Sequence, residues 1–223
     1  MRMIAWLSRS PTGFADVSGA RGAWHNRRMA QAAAKATLRR YLDVARDSLV
    51  WKLEGLSEYD VRRPLTPTAS NLLGIVKHVA SVEHGYLGDV FGRPSGEPLP
   101  WFEDDAEANA DMWVTPEETR EDILGLYERT RAHSNATIEE LSLDSIGEVP
   151  WWPEDHRRVT LHQILVHITT ETHRHAGHAD IIRELIDGAA GLRADAPNLP
   201  DVGAEWWAAY RAKVEAAAAA VAG

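Results

Sequence analysis

His167 to Asp180, HITTETHRHAGHAD, sets four histidines and one glutamate into fourteen residues. If the stretch is one continuous helix, its phase decides which of those side chains meet inside the molecule and which stay in water. At 100° per residue, with Glu171 at zero, Ile164 and Ile182 fall at about 20°, His175 at about 40°, and Ile168 and Ile186 at about 60°. Glu171 and His175 therefore stand in the middle of an apolar stripe. His162, His173 and Asp180 fall at about 180 to 200°, on the opposite face, while His167 and His178 flank the stripe at about −40° and −20°. A buried carboxylate without a partner costs on the order of several kcal/mol, a large share of a domain's net stability. Two readings of the pair are open at this point. One is a Glu–His hydrogen bond across one helical turn that needs no cofactor. The other is a pair of metal ligands.

Working outward, this helix runs from Leu161 to Ile186, opened by Thr160 with Gln163 completing a capping box and closed at Asp187-Gly188. Upstream, Leu38, Leu42, Ala45, Leu49 and Leu53 recur at helical spacing within a first helix over residues 32–56. Residues 71–91 predict a second helix with Ser70 at its N-cap, stopped by Gly92 and Pro94. Thr115 ahead of Pro116, with Glu118 three positions on, is a capping box that predicts a third helix to Leu141. Irregular stretches over 93–115 and 143–159 join these elements, and a linker with a short helix over Glu205–Val221 finishes the chain. No strand alternation and no internal repeat appears. The pattern predicts an all-α four-helix bundle over 29–190 with two long loops, and a linker and C-terminal helix over 191–223 packing on it.

Composition narrows the function classes. The 223 residues, 44% hydrophobic and 26% charged, suit a single sizeable core. A formal net charge of −9 lacks the basic footprint on which nucleic-acid binding depends, so no nucleic-acid partner is expected. With no cysteine, disulfides, Cys-ligated zinc, iron–sulfur clusters and an internal thiol nucleophile are excluded. Any thiol chemistry needs a thiol from outside. The N-terminal apolar run MIAWL is too short for a signal segment or a membrane span, which gives a cytoplasmic expectation with no membrane partner. Residues 1–28 read as a disordered extension, with Met29 an alternative start to Met1.

A third ligand candidate lies in the second helix, in KHVASVEHGYLGD (77–89). His78 stands at the edge of the apolar stripe of Leu72, Ile75, Val79, Val82 and Tyr86, and Gly74 and Gly85 leave space beside it. His78 with Glu171 and His175 gives two imidazoles and a carboxylate, a set suited to a catalytic divalent metal with open coordination positions. Zinc is the leading metal, with nickel or iron as the others. Asp89, a second candidate, and His84, on the outer face, read as solvated or as supporting the ligands, and Tyr86 reads as core. Trp151 and Trp152, just ahead of the last helix, read either as an apolar wall over the site or as loop anchors. Arg183, on the flank, either meets a cofactor or substrate carboxylate or pairs with a helix neighbour.

The stretches NLLGIVKHVASVEHGYLG (71–88) and PWWPEDHRRVTLHQILVHITTETHRHAGHADIIRELIDG (150–188) resemble the DinB-like superfamily, and specifically the DUF664 branch common in actinobacteria. The twenty arginines against four lysines agree with a GC-rich source of that kind. The resemblance covers about residues 31–188 and implies an up-down-down-up four-helix bundle with a metal held by one residue of helix two and two of helix four. His78, Glu171 and His175 occupy those positions, and the His/Glu/His order is similar to that of the mycothiol-dependent maleylpyruvate isomerases. Where many members carry Gln, this chain has His178, whose role as acid/base group, extra ligand or support is thereby open. The resemblance implies a metal-dependent transferase that activates a low-molecular-weight thiol, mycothiol, against a small-molecule electrophile. Beside the three ligands, His178 is the catalytic candidate, and Trp151, Trp152 and Arg183 are the candidate cofactor contacts. The alternatives are a hydrolase using activated water and a non-catalytic metal-binding stress-response protein, with a homodimer as the expected assembly.

Overall fold

The computed structural model describes residues 17–222, with side chains from Met29 onward. Residues 1–16 of the expected disordered extension lie outside the described residues, and residues 17–28 are helical rather than irregular. The helices are α1 (Val17–Val50), α2 (Glu58–Arg62), α3 (Leu72–Leu87), α4 (Arg120–Glu140), α5 (Leu161–Asp187) and α6 (Ala204–Ala219). The fold is all-α, as the periodicity predicts. Helix α3 packs against both α4 and α5, and α1 packs along α5, which closes the four-helix bundle.

Local chemistry sets each boundary. The N-cap of α3 is Asn71 rather than Ser70: its Oδ1 accepts the Gly74 N–H at 2.7 Å. The helix stops at Leu87, earlier than expected, and a single 3₁₀ turn follows over Asp89–Phe91. Gly92, at φ 64°, ends that turn in the left-handed conformation that favours glycine. The Thr115–Glu118 reciprocal bonds form at 2.7 and 3.4 Å, yet no helix grows from them. Arg62 donates to the carbonyls of Thr115 (3.0 Å) and Glu118 (2.8 Å), so those oxygens are taken from any helical ladder. Helix α4 begins at Arg120 instead, behind a second capping box made by Thr119 and Asp122. Thr160 caps α5 by accepting the Gln163 N–H at 3.2 Å, but the Gln163 side chain returns no bond to complete the expected capping box; Gly188, at φ 81°, ends the helix.

Two departures concern whole elements. Residues 146–160 contain a short antiparallel hairpin, β1 (Ile146–Glu148) with β2 (Arg158–Thr160), whose three-residue strands are too short to show a period. Gly147 allows it to lie on the turn after α3, where an added Cβ would sit 2.6 Å from the Val90 carbonyl oxygen. Helix α6 buries none of its residues, contrary to the expectation that it packs on the bundle. Its larger apolar side chains Trp206, Tyr210 and Val214 stay exposed, with Trp206 and Tyr210 stacked on each other.

The apolar core forms two clusters. One gathers Leu49, Leu53, Ile75, Val79, Tyr127 and Ile182, and the other Leu42, Leu87, Ile138, Leu161, Ile164 and Ile168. Along α5 the first cluster begins at Ala179 and the second ends at Ile168. The gap between them holds Glu171 and His175.

A buried ion pair ties three helices together beside this gap. Arg46 of α1 donates to both carboxylate oxygens of Glu83 in α3, and to Asn135 Oδ1 in α4 at 3.0 Å. Both members of the pair are wholly buried. Burial works against the Arg46 charge, but Glu83 outweighs it and the guanidinium is held more firmly ionised than usual. Removing one partner of such a pair strands the other charge, whereas removing both removes two desolvation costs. We therefore expect Glu83→Leu to lower the unfolding free energy by about 3–5 kcal/mol, and Arg46→Met with Glu83→Leu to restore most of that loss, read by urea denaturation.

Candidate metal centre

Helices α3 and α5 run antiparallel: His78 stands against His175, and Tyr86, further along α3, stands against the earlier residue His167. Within α5, Glu171 and His175 are one turn apart and project from one face. This arrangement brings three ligand atoms together. Glu171 Oε1 lies 3.0 Å from His175 Nε2 and 3.7 Å from His78 Nε2, and the three ligand atoms all lie within 4.8 Å of one another. A metal held tetrahedrally at about 2.0–2.1 Å from each ligand spaces neighbouring ligand atoms roughly 3.3 Å apart. The two carboxylate–imidazole distances bracket that value, so the donor set fits a divalent ion.

The sequence did not show what orients His78. Its Nδ1 is 2.6 Å from Asp111 Oδ2, the carboxylate–histidine arrangement that fixes tautomer and ring orientation in metal sites. Asp111 belongs to a turn, Ala110–Met112, in the long connection between α3 and α4. That connection is fastened to α3 at every turn. Asn71 donates to the Met112 carbonyl at 3.1 Å, and Lys77 donates to the Trp113 carbonyl at 3.0 Å. Gly74 permits the approach, since a Cβ there would meet Met112 O at 1.9 Å. The space that Gly74 leaves beside His78 is thus filled by backbone, while Gly85 faces open space with only Trp151 nearby.

Electrostatics favour the ligating protonation states. Burial alone would raise the Glu171 carboxyl, but His175, followed by His78 and Arg174, outweighs it and holds the group below its ordinary value. His175 is lowered, first by burial and then by the neighbouring His78, against the opposing pull of Glu171. Asp111 is lowered by its hydrogen bond with His78, against its own burial. An ionised carboxylate and a neutral imidazole are the forms a metal requires.

The remaining sequence-predicted residues divide. His178 is exposed and outside the triad, edge-on to His175 with ring centroids 5.3 Å apart. Trp151 and Trp152 come together at Tyr86, where both indole N–H groups donate to its hydroxyl, at 3.1 and 2.8 Å. Arg183 is not brought to the triad. Its guanidinium is buried against Asp187 and the carbonyls of Lys52 and Glu54, which engage four of its five N–H donors. His84, expected on the outer face, is buried because residues 93–97 fold back over it, with Ser95 Oγ 3.3 Å from its ring. Asp180, expected in water, pairs with Lys52 at 3.0 Å and accepts the Gly191 N–H at 2.7 Å. His162 and His173 are exposed, as their phase predicts.

Beside the triad lies a cavity of about 660 Å³ lined by Ser81, Val82, Gly85, Tyr86, Trp151 and Glu171 among others. Its size is that of a small-molecule site. No helix among the described residues is long and apolar enough to cross a membrane.

Fold and site together define a helical bundle in which two imidazoles and a carboxylate converge beside a ligand-sized cavity. The family profile described as Mycothiol-S-transferase matches residues 37–188, and the chain belongs to that family. No curated protein matches the chain.

Because Asp111 fixes His78 without ligating, Asp111→Asn is expected to weaken metal affinity about 10- to 100-fold with helicity unchanged. Chelator competition beside circular dichroism measures both.

Proposed function

We propose that this chain is a metal-dependent transferase that activates a low-molecular-weight thiol, mycothiol, for attack on an electrophilic small molecule. The observation that carries this reading is the His78/Glu171/His175 triad, whose Glu171 lines a ligand-sized cavity, in a chain of the mycothiol-S-transferase family. Two imidazoles and one carboxylate suit zinc, and the set leaves coordination positions open. A divalent metal held there supplies Lewis acidity that lowers the pKa of a bound thiol toward neutrality. The nucleophile comes from outside, because the chain has no cysteine.

The protein's own residues then have distinct tasks. His78, Glu171 and His175 provide the donor set, and Asp111 holds the His78 ring in register. Trp151 and Tyr86 wall the cavity and exclude water from the reacting atoms. His178, exposed beside His175, is placed to exchange protons between the site and solvent. Arg183 belongs to the far end of α5 and serves the fold there.

The test is conjugation of mycothiol to a panel of electrophiles by untagged, zinc-loaded protein, with His78→Ala as the control. Thiol-dependent turnover that falls at least about 100-fold in His78→Ala is the expected outcome. Turnover that proceeds without thiol would instead mark a hydrolase. Thiol transfer undiminished in His78→Ala would remove the metal from the reaction.

A further inference from the structure

The hydroxyl of Tyr86 is held in an unusual way. A phenolic hydroxyl offers one proton and two lone pairs, and an indole N–H is a donor only. Trp151 Nε1 and Trp152 Nε1 both donate to Tyr86 Oη, at 3.1 and 2.8 Å. Both lone pairs are therefore occupied, and the hydroxyl's remaining capacity is to donate. Among the described residues no protein acceptor takes its proton. Accepting two hydrogen bonds also polarises an O–H group and makes it a stronger donor.

The surroundings give that proton a destination. Tyr86 and Trp151 line the same cavity as Glu171, and Gly85 next to them adds no side chain to fill it. Tyr86 is two turns beyond His78 on α3, about 12 Å along the axis, and helical side chains lean back toward the N-terminus, here toward the triad. A small molecule in the cavity thus has the metal-binding carboxylate on one side and a preorganised O–H donor on another. The lining combines apolar Val82, Leu99 and Phe102 with polar Ser81, Asp89 and His167, and the His167 ring lies 4.7 Å from that of Tyr86. A hydrogen-bond donor fixed in place before the reaction acts on negative charge that develops within its reach.

We infer that Tyr86 binds an oxygen atom of the electrophile and stabilises the charge that forms on it, so that the preferred electrophiles are those whose oxygen receives an electron pair as the thiol adds. This inference rests on the thiol-transfer reading above. With an α,β-unsaturated carbonyl, the thiolate sulfur forms the C–S bond at the β-carbon, and the C=C pair shifts so that charge collects on the carbonyl oxygen facing Tyr86. The enolate then takes up, at carbon and through water, the proton the thiol released. With an epoxide, the C–S bond forms as the C–O bond breaks, and the oxygen takes that proton. An alkyl halide expels halide and places no charge on oxygen, so it makes no use of Tyr86.

The discriminating experiment compares wild type with Y86F on an enone, an epoxide and an alkyl halide, all with mycothiol and zinc. Y86F is expected to lower kcat/KM about 100-fold on the two oxygen electrophiles and less than about threefold on the halide. An equal loss on all three, or no loss on any, would overturn the inference. W151F, which removes one of the two bonds to the hydroxyl and leaves Tyr86 in place, is expected to show a smaller loss with the same selectivity. Equal loss across substrates in W151F would contradict the inference even if Y86F folds poorly. A second readout does not require thiol transfer: binding of 4-nitrophenolate to zinc-loaded wild type and Y86F, followed by absorbance. Weakening of at least about tenfold in Y86F supports an oxyanion donor whether or not the protein transfers thiols, and equal affinity refutes it.

Discussion

A carboxylate held between two imidazoles in a gap of the core is the constraint on which this structure turns. Glu171 stands on the buried face of α5 where the two apolar clusters separate, and its charge is answered by His175 one turn on and by His78 across the interface. The antiparallel pairing of α3 and α5 supplies the meeting. The loop that carries Asp111 supplies its precision, since Asn71, Gly74 and Lys77 hold the two residues just after the aspartate, Met112 and Trp113, against α3. Each of these features has a structural cost of its own, and each is explained once His78 has to point one ring nitrogen at Glu171.

The molecule contains a second buried carboxylate that shows what a purely structural solution looks like. Glu83 receives two hydrogen bonds from Arg46, is sealed from solvent, and joins α1 to α3 and, through Asn135, to α4. Its partner is complete, and no cavity opens on it. Glu171, by contrast, is half-buried, is shared unequally between two imidazoles, and lines a cavity of about 660 Å³. The Glu83 carboxylate is fully paired, whereas the donors around Glu171 converge and stay open to a cavity.

Much of this was legible in the sequence because helices are periodic. The phase of α5 placed Glu171 and His175 inside and His162 and His173 outside, and the apolar stripe of α3 placed His78 at its edge. What was not legible depended on loops crossing helices. Asp111 lies in a connection with no period, and nothing local in the sequence marks it as the partner of His78. Residues 93–97 bury His84, and the chain after Gly188 draws in Asp180, so both faces read as solvent from helical phase alone. The start of α4 was misread for a related reason: Arg62, distant in sequence, takes the carbonyls that the Thr115 capping box would have used. Tyr86 was correctly placed on the apolar stripe, but its hydroxyl gains its role from two tryptophans of another loop.

The central claim is that Glu171 and His175 are metal ligands and not merely a hydrogen-bonded pair. The most direct test is elemental analysis of untagged protein purified without added metal, with Glu171→Ala and His175→Ala purified alongside. The account predicts about one equivalent of divalent metal in the wild type, foremost zinc, and its loss in both variants. A wild type that holds no metal even after reconstitution, or variants that retain it, would contradict the account and return the pair to a structural role.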